Sequence, residues 1–143
     1  MFGKILNFLG GLIDTVKVRD ELLITLRKDD KVIKQWKVKG HTWTTAGLNA
    51  IRNALTDGGF SKISYMSAFT TSDNEAAVTP SKPADKQAKF TATWGSSGDI
   101  SGITEFRLRQ TSGGTNMATV SVSSFDKPDG VSLEVQWTTT LSS

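Results

Sequence analysis

The sequence contains no cysteine and only one histidine, His41. The absence of cysteine excludes disulfide bonds, thiolate metal sites and cysteine nucleophiles. A single histidine excludes zinc sites built from several histidines and leaves one candidate for a histidine general base. Proline is scarce as well, with 3 residues in 143, whereas glycine, serine and threonine are abundant. This composition is typical of an all-β protein with short turns, and it indicates a non-enzymatic protein that uses no cofactor and no metal ion.

The chain also lacks any motif with the spacing of a catalytic or metal site. Gly95-Ser96-Ser97-Gly98 does not have one residue on each side of a serine between glycines, as a nucleophile elbow requires, so we interpret it as a turn. Residues 126–130 lack the spacing and the following glutamate of a calcium loop. Lys127-Pro128-Asp129-Gly130 instead predicts a turn between two strands. We interpret His41 as a loop or capping residue, because the sequence suggests no acid–base partner for it.

Positive charge is concentrated near the N-terminus, although the formal net charge is only +3. Residues 1–40 contain nine Lys and Arg against five Asp and Glu, whereas residues 41–143 contain eight against nine. The basic region has neither clustered arginines nor the interleaved exposed aromatics of a nucleic-acid-binding surface. We therefore expect no nucleic-acid partner.

Residues 1–17 are predicted to form an amphipathic segment. Apolar residues recur there at three- and four-residue spacing, which predicts that they share one face of a helix. These residues are Phe2, Ile5, Leu6, Leu9, Leu12, Ile13 and Val16. The segment is shorter than the roughly twenty apolar residues that cross a bilayer, and it lacks the features of a signal peptide. We expect that the chain is synthesised in the cytoplasm and that it does not span a membrane.

Gly10 and Gly11 each destabilise an isolated helix by roughly 1 kcal/mol, so this segment needs an apolar surface to lie against. That surface is the protein's own sheet, a partner subunit or a membrane surface. We predict docking onto a partner, which makes the seven apolar residues partner-binding residues and residues 1–17 an anchoring segment.

Residues 18–143 are predicted to form a single β-sandwich domain. Alternating apolar residues predict seven strands, at 21–27, 32–38, 63–69, 88–94, 104–109, 118–122 and 131–137. Thr44 or Thr45 is a candidate N-cap for a helix over about 45–56, after the first hairpin. Residues 70–86 are expected to be a long polar loop. The fold class is therefore all-β: an antiparallel sandwich of about seven strands with one short helix.

Several short stretches of the chain occur in an order that resembles a known family. They are Thr45-Ala46-Gly47-Leu48, Tyr65-Met66-Ser67, Ile103-Thr104-Glu105-Phe106, Ser112-Gly113-Gly114-Thr115-Asn116-Met117-Ala118 and Leu133-Glu134-Val135-Gln136-Trp137-Thr138-Thr139-Thr140. Their order and spacing, over roughly residues 20–143, are similar to those of a widespread family of small structural proteins of tailed bacteriophages.

The resemblance implies a non-enzymatic virion component, made and assembled in the host cytoplasm. We expect a head decoration or cement protein that forms a homo-oligomer, for example a trimer, and contacts the major capsid protein. A tail or fibre component that contacts tail subunits is the alternative. A further alternative is a carbohydrate- or receptor-binding module, whose mark would be aromatic residues at loop tips. Trp43 and Phe60 are the candidates for such positions, and the four tryptophans are otherwise expected in the core.

Overall fold

Two antiparallel five-stranded sheets and one α-helix make up the computed structural model, which describes residues 17–40, 42–56 and 61–142. In spatial order, the first sheet contains β2 (Lys31–Gly40), β1 (Lys17–Lys28), β10 (Ser132–Ser142), β7 (Gln87–Trp94) and β6 (Thr79–Ser81). The second sheet contains β3 (Thr42–Trp43), β9 (Asn116–Lys127), β8 (Ile100–Arg109), β4 (Tyr65–Phe69) and β5 (Glu75–Ala77). The helix, α1 (Thr45–Thr56), follows the first hairpin. The predicted all-β sandwich with one short helix is confirmed.

The seven predicted strands correspond to β1, β2, β4, β7, β8, β9 and β10. The structure adds three short strands, of which β5 and β6 lie within residues 70–86. The prediction of a long polar loop over residues 70–86 is therefore wrong where these two short strands form. A three-residue strand is too short to show alternation, and Pro80 argues against a central strand. Because β6 is an edge strand, proline is compatible with it.

The core lies between the two sheets and contains the residues that alternation predicted. Alternation over the strands between 88 and 137 predicts a shared core of nine residues that includes Val122, and the other eight are buried: Phe90, Trp94, Phe106, Leu108, Val120, Leu133, Val135 and Trp137. Val122 is only partly buried and packs against the others. The prediction of a shared core is therefore confirmed, with Val122 at its margin.

The hairpin between β1 and β2 is closed by two aspartates in an unusual backbone conformation. Asp29 and Asp30 have φ of 52° and 63°. Two successive residues in this region form the turn type that matches the twist of a two-residue hairpin, and aspartate tolerates it better than most residues. A register shift follows between Leu26 and Arg27, which leaves Val32 and Ile33 both exposed on β2.

Helix α1 begins at a threonine cap and packs closely on β9. The backbone N–H of Gly47 donates to Oγ1 of Thr44 over 3.1 Å, so Thr44 rather than Thr45 is the N-cap. A Cβ added to Gly47 would lie 2.1 Å from the carbonyl oxygen of Met117, so only glycine fits this contact. The helix can therefore lie directly against the sheet.

At the hairpin end of the sandwich, a buried lysine connects two loops. Lys127 is 1% exposed, and its Nζ donates to the carbonyl oxygens of Gly98, at 2.5 Å, and Val131, at 2.8 Å. Gly130 has φ of 84°, as the predicted Lys127-Pro128-Asp129-Gly130 turn requires. Since the cation is satisfied by backbone carbonyls, this lysine has a structural role.

Candidate functional site

An apolar groove opens at the end of the sandwich where β1 begins and β10 ends. Its walls include the inner-face residues Val18 and Leu141, Trp43 on β3, Ile51 of α1, the loop at 82–86 and the start of β7. Its volume is about 710 Å³, within the range of roughly 300–1,000 Å³ that is typical of binding clefts. We take this end groove as the candidate functional site.

The end groove is the continuation of the core beyond the point where the sheets cover each other. Val18 pairs with Leu141. By the alternation of β1 and β10, both residues lie on the face of the sheet that points toward the core. Deeper along the same strands Leu22 and Trp137 are fully buried, whereas Leu141 is 42% exposed. Leu141 is therefore exposed beside the other apolar residues of the groove, an arrangement that favours an apolar ligand.

The rim of the end groove is charged, unlike its floor. Lys62, Lys82, Asp85 and Lys86 are all exposed and line its edge. An apolar floor with a polar rim is the usual anatomy of a protein–protein contact surface. Sequence patterns did not indicate this site, because its members come from strand ends, a helix and a loop that only the fold brings together.

The seven predicted partner-binding residues, Phe2, Ile5, Leu6, Leu9, Leu12, Ile13 and Val16, lie outside the described residues, as do His41 and Phe60. The described chain begins at Lys17, one residue before Val18 in the groove wall. The root of the apolar segment is therefore adjacent to the end groove.

A second, polar cleft of about 900 Å³ includes charged residues of the first sheet, among them Arg19, Glu21, Lys39 and Lys89. Among the described residues that line this cleft, none is aromatic. Trp43, the described candidate for a sugar-stacking residue, is half-buried and packs against the core instead. The other three tryptophans are core residues or pack on the core, as predicted. The described aromatic residues therefore form no platform for stacking a sugar.

Among the described strands, β2 is a long edge strand of the first sheet. Four exposed lysines lie along it: Lys31, Lys34, Lys37 and Lys39. Lys37 forms an ion pair with Glu21, with 3.6 Å between Nζ and Oε1, and Nζ of Lys34 lies 4.7 Å from the ring centroid of Trp36. Lysine on an edge strand opposes uncontrolled pairing with another sheet.

The most extensive charged cluster of the described residues is centred on Arg109, which is 5% exposed. Its guanidinium donates to Glu75 over 2.9 Å, to Asp73 over 3.0 Å and to Asn116 over 2.9 Å. Glu75 also accepts from Ser112 and from the backbone of Gly113. The cluster therefore joins β5 and the 70–74 loop to the turn between β8 and β9.

The charges in this cluster shift one another's titration. Desolvation alone would raise the pKa of Asp73, but hydrogen bonds from Ser67 and Arg109 and the nearby arginine charges outweigh it and lower the pKa. Desolvation is likewise outweighed at Glu75, where hydrogen bonds from Ser112, Gly113 and Arg109 lower the pKa. These partners hold both carboxylates in the charged form, which suits a structural cluster better than proton transfer.

Within residues 17–40, 42–56 and 61–142, no group of three or more His, Cys, Asp or Glu side chains is placed to hold a metal ion. No described helix is long and apolar enough to cross a membrane. Comparison with family models, curated proteins and solved structures found no match for this chain.

Proposed function

We propose that this chain is a non-enzymatic structural component of a tailed-phage virion, namely a decoration protein that binds the capsid lattice. Its anchor in the proposal is the apolar segment at residues 1–17, assisted by the edges of the sandwich. A homo-oligomer on the lattice, for example a trimer, is the expected form, with the major capsid protein as the partner.

The main observation in support is the way in which the segment joins the fold. Lys17 begins β1, and β1 is hydrogen-bonded on one side to β2 and on the other to β10. A strand paired on both sides is among the parts of a sheet that open least readily. A load applied to residues 1–17 would therefore be distributed across the first sheet, as an anchoring arm requires.

The stretches that resemble the phage family also occupy positions that the fold constrains. Gly47 sits where a side chain would strike Met117. Ser112 and Gly113 donate to Glu75 at the turn between β8 and β9. The stretch at 133–140 lies on β10, between β1 and β7. The resemblance therefore extends over elements of both sheets.

The test uses the full chain with one charge introduced into the segment. Leu9→Asp places a carboxylate on the apolar stripe, where burial would strongly disfavour it. Asn7→Asp is the matched control, because it adds the same charge to the polar side of the predicted helix. Each purified protein is mixed with phage heads that lack it, and separately with tails, and the particles are pelleted.

We expect the unchanged chain and Asn7→Asp to sediment with heads, and Leu9→Asp to remain in the supernatant. Sedimentation of Leu9→Asp at full strength would exclude the stripe as the anchor. Binding to tails but not to heads would identify a tail component instead.

A further inference from the structure

The end groove needs an occupant, and the chain itself supplies the nearest apolar one. The groove exposes Leu141 and leaves Val18 and Ala88 only half-buried at the open end of the core. We infer that residues 2–16 of the same chain cover the end groove in the free protein. This inference concerns the protein before it meets any partner, so it goes beyond the proposed function.

The point of attachment is the first argument. Sixteen residues precede Lys17, whose neighbour Val18 is part of the groove wall. Even in a helical form these residues would span roughly 24 Å, and an extended chain would reach about twice as far. Every position of the segment from Leu9 onward can therefore reach the groove.

The tether is the second argument, because it favours the same chain over a second copy. A short connection between a ligand and its site produces an effective concentration in the millimolar range. A second copy present at micromolar concentration competes poorly with this, provided that the tether permits the geometry. Since no residue lies between Lys17 and the groove wall at Val18, the tether is as short as a chain allows.

The chemical match is the third argument. The apolar groove residues that remain partly accessible include Val18, Ile51 and Leu141, and the segment's stripe is built from leucine, isoleucine, valine and phenylalanine. Apolar surface of this kind gains roughly 25 cal/mol for each Å² removed from water. When the stripe covers the groove, each of the two apolar surfaces removes the other from water.

Because the chain has no natural cysteine, the inference can be tested by pairs of introduced cysteines. One chain carries Leu9→Cys and Ala84→Cys, where Ala84 is an exposed residue of the groove wall. The control chain carries Leu9→Cys and Lys39→Cys. Lys39 is exposed on β2, within reach of the segment, but it faces the polar cleft. Ala84 and Lys39 are both exposed, so we expect a cysteine at either position to leave the fold intact.

Oxidation of the purified full chains should form a disulfide bond between the introduced cysteines at positions 9 and 84 of one chain. This bond should form about tenfold faster than the control disulfide between positions 9 and 39. That ratio corresponds to about 1.4 kcal/mol of preference for the groove. The rate should not depend on protein concentration. Equal rates for the two pairs would overturn the inference. Bridges between chains, with a rate that rises with concentration, would overturn it in favour of a second copy.

A second measurement alters the groove rather than the segment. Leu141→Asp adds a charge to the groove wall, and Val32→Asp is its control, since both residues are exposed apolar residues of strands in the first sheet. In the chain that carries Leu9→Cys and Ala84→Cys, Leu141→Asp should slow formation of the disulfide bond about tenfold, whereas Val32→Asp should not change its rate. Stoichiometric binding of the dye 8-anilinonaphthalene-1-sulfonate to the unchanged full chain would contradict the inference, because it would show an open groove suited to a small ligand. No phage particle is involved, so this result is independent of the proposed function.

Discussion

Trp137 and Asp20 join the last described strand to the first inside the core. The indole Nε1 of Trp137 donates to Oδ1 of Asp20 over 3.0 Å, and both side chains are buried. Oγ1 of Thr139 donates to the same oxygen over 2.7 Å. Since Asp20 pairs with Thr139 in the sheet, the carboxylate reinforces the backbone pairing of β1 with β10. Nε1 of Trp43 on β3 also lies 3.5 Å from this oxygen, so the buried Asp20 side chain accepts hydrogen bonds from both sheets.

This relationship separates two contributions of Trp137. Trp137→Ala should lower the free energy of unfolding by roughly 3–5 kcal/mol, because it removes a large core side chain. Trp137→Phe should cost about 1–3 kcal/mol, because it keeps much of the ring but removes a donor to a carboxylate. Urea unfolding followed by circular dichroism measures both. If Trp137→Ala unfolded at the same urea concentration as the unchanged chain, the assignment of Trp137 to the core would be wrong.

Gly47 is predicted to be irreplaceable although it lies in a helix. Gly47→Ala should destabilise the fold by about 2–3 kcal/mol, because the new Cβ would collide with the carbonyl oxygen of Met117. Intrinsic propensity alone would favour alanine by about 1 kcal/mol. Gly95→Ala is the control, since a Cβ there meets nothing within 4 Å. Thermal unfolding should show a lower Tm for the first variant only, and a higher Tm for Gly47→Ala would contradict the close packing of α1 on β9.

The Arg109 cluster predicts a loss of stability in acid. The folded-state pKa values of Asp73 and Glu75 are lowered, so their stabilisation is complete above the unfolded values of about 3.9 and 4.3. It is lost as the pH falls through the lower folded values. Arg109→Met should cost about 2–3 kcal/mol at pH 7, a figure moderated by the partial exposure of Asp73.

The same variant should lose less stability than the unchanged chain between pH 5 and pH 3, because it lacks the cation that holds the carboxylates charged. Arg52→Met is the control, since Arg52 is exposed and bonds only to its neighbour Asn53 among the described side chains. Urea unfolding at several pH values measures both slopes. Identical pH dependence for Arg109→Met and the unchanged chain would exclude this cluster as a source of acid sensitivity.

The end groove and the capsid lattice should compete for the same apolar stripe, that of residues 2–16. If the segment must leave the groove to bind a head, its apparent affinity is reduced by the fraction of chains in which it is free. Leu141→Asp should then tighten binding to heads by up to about tenfold, and Thr104→Asp, at an exposed position of the inner strand β8, should leave it unchanged. Titration of heads with each protein measures this. Weaker binding by Leu141→Asp would show that the groove wall itself contacts the lattice.

The elements predicted from sequence were those set by local patterns. Alternation located the seven longer strands, and the candidate N-cap at Thr44 or Thr45 located the start of α1. The strands β5 and β6 were missed because each is defined by its neighbour: β5 pairs with β4 and β6 with β7. No local pattern in three residues records such pairing.

The surfaces of functional interest were less accessible to sequence reasoning. Lys127 appeared to be a turn residue, yet its side chain is buried and satisfied by carbonyls from two loops. The end groove combines β1, α1, the 82–86 loop, the start of β7 and β10. Such sites depend on contacts between residues far apart in the chain. Composition and periodicity do not specify them.

The central pairing of β1 with β10 also determines when the chain can fold. Lys17 pairs with Ser142, and closing a loop of this length costs on the order of 4 kcal/mol in chain entropy. At about 5–20 residues per second, a ribosome needs roughly 6–25 s between completing these two positions. During that interval Leu22, Ile24 and Leu26 on β1 have no partner strand on the side that β10 later occupies. The first sheet is therefore completed only after β10 has left the ribosome, and nascent chains would be the form most exposed to aggregation and most dependent on chaperones.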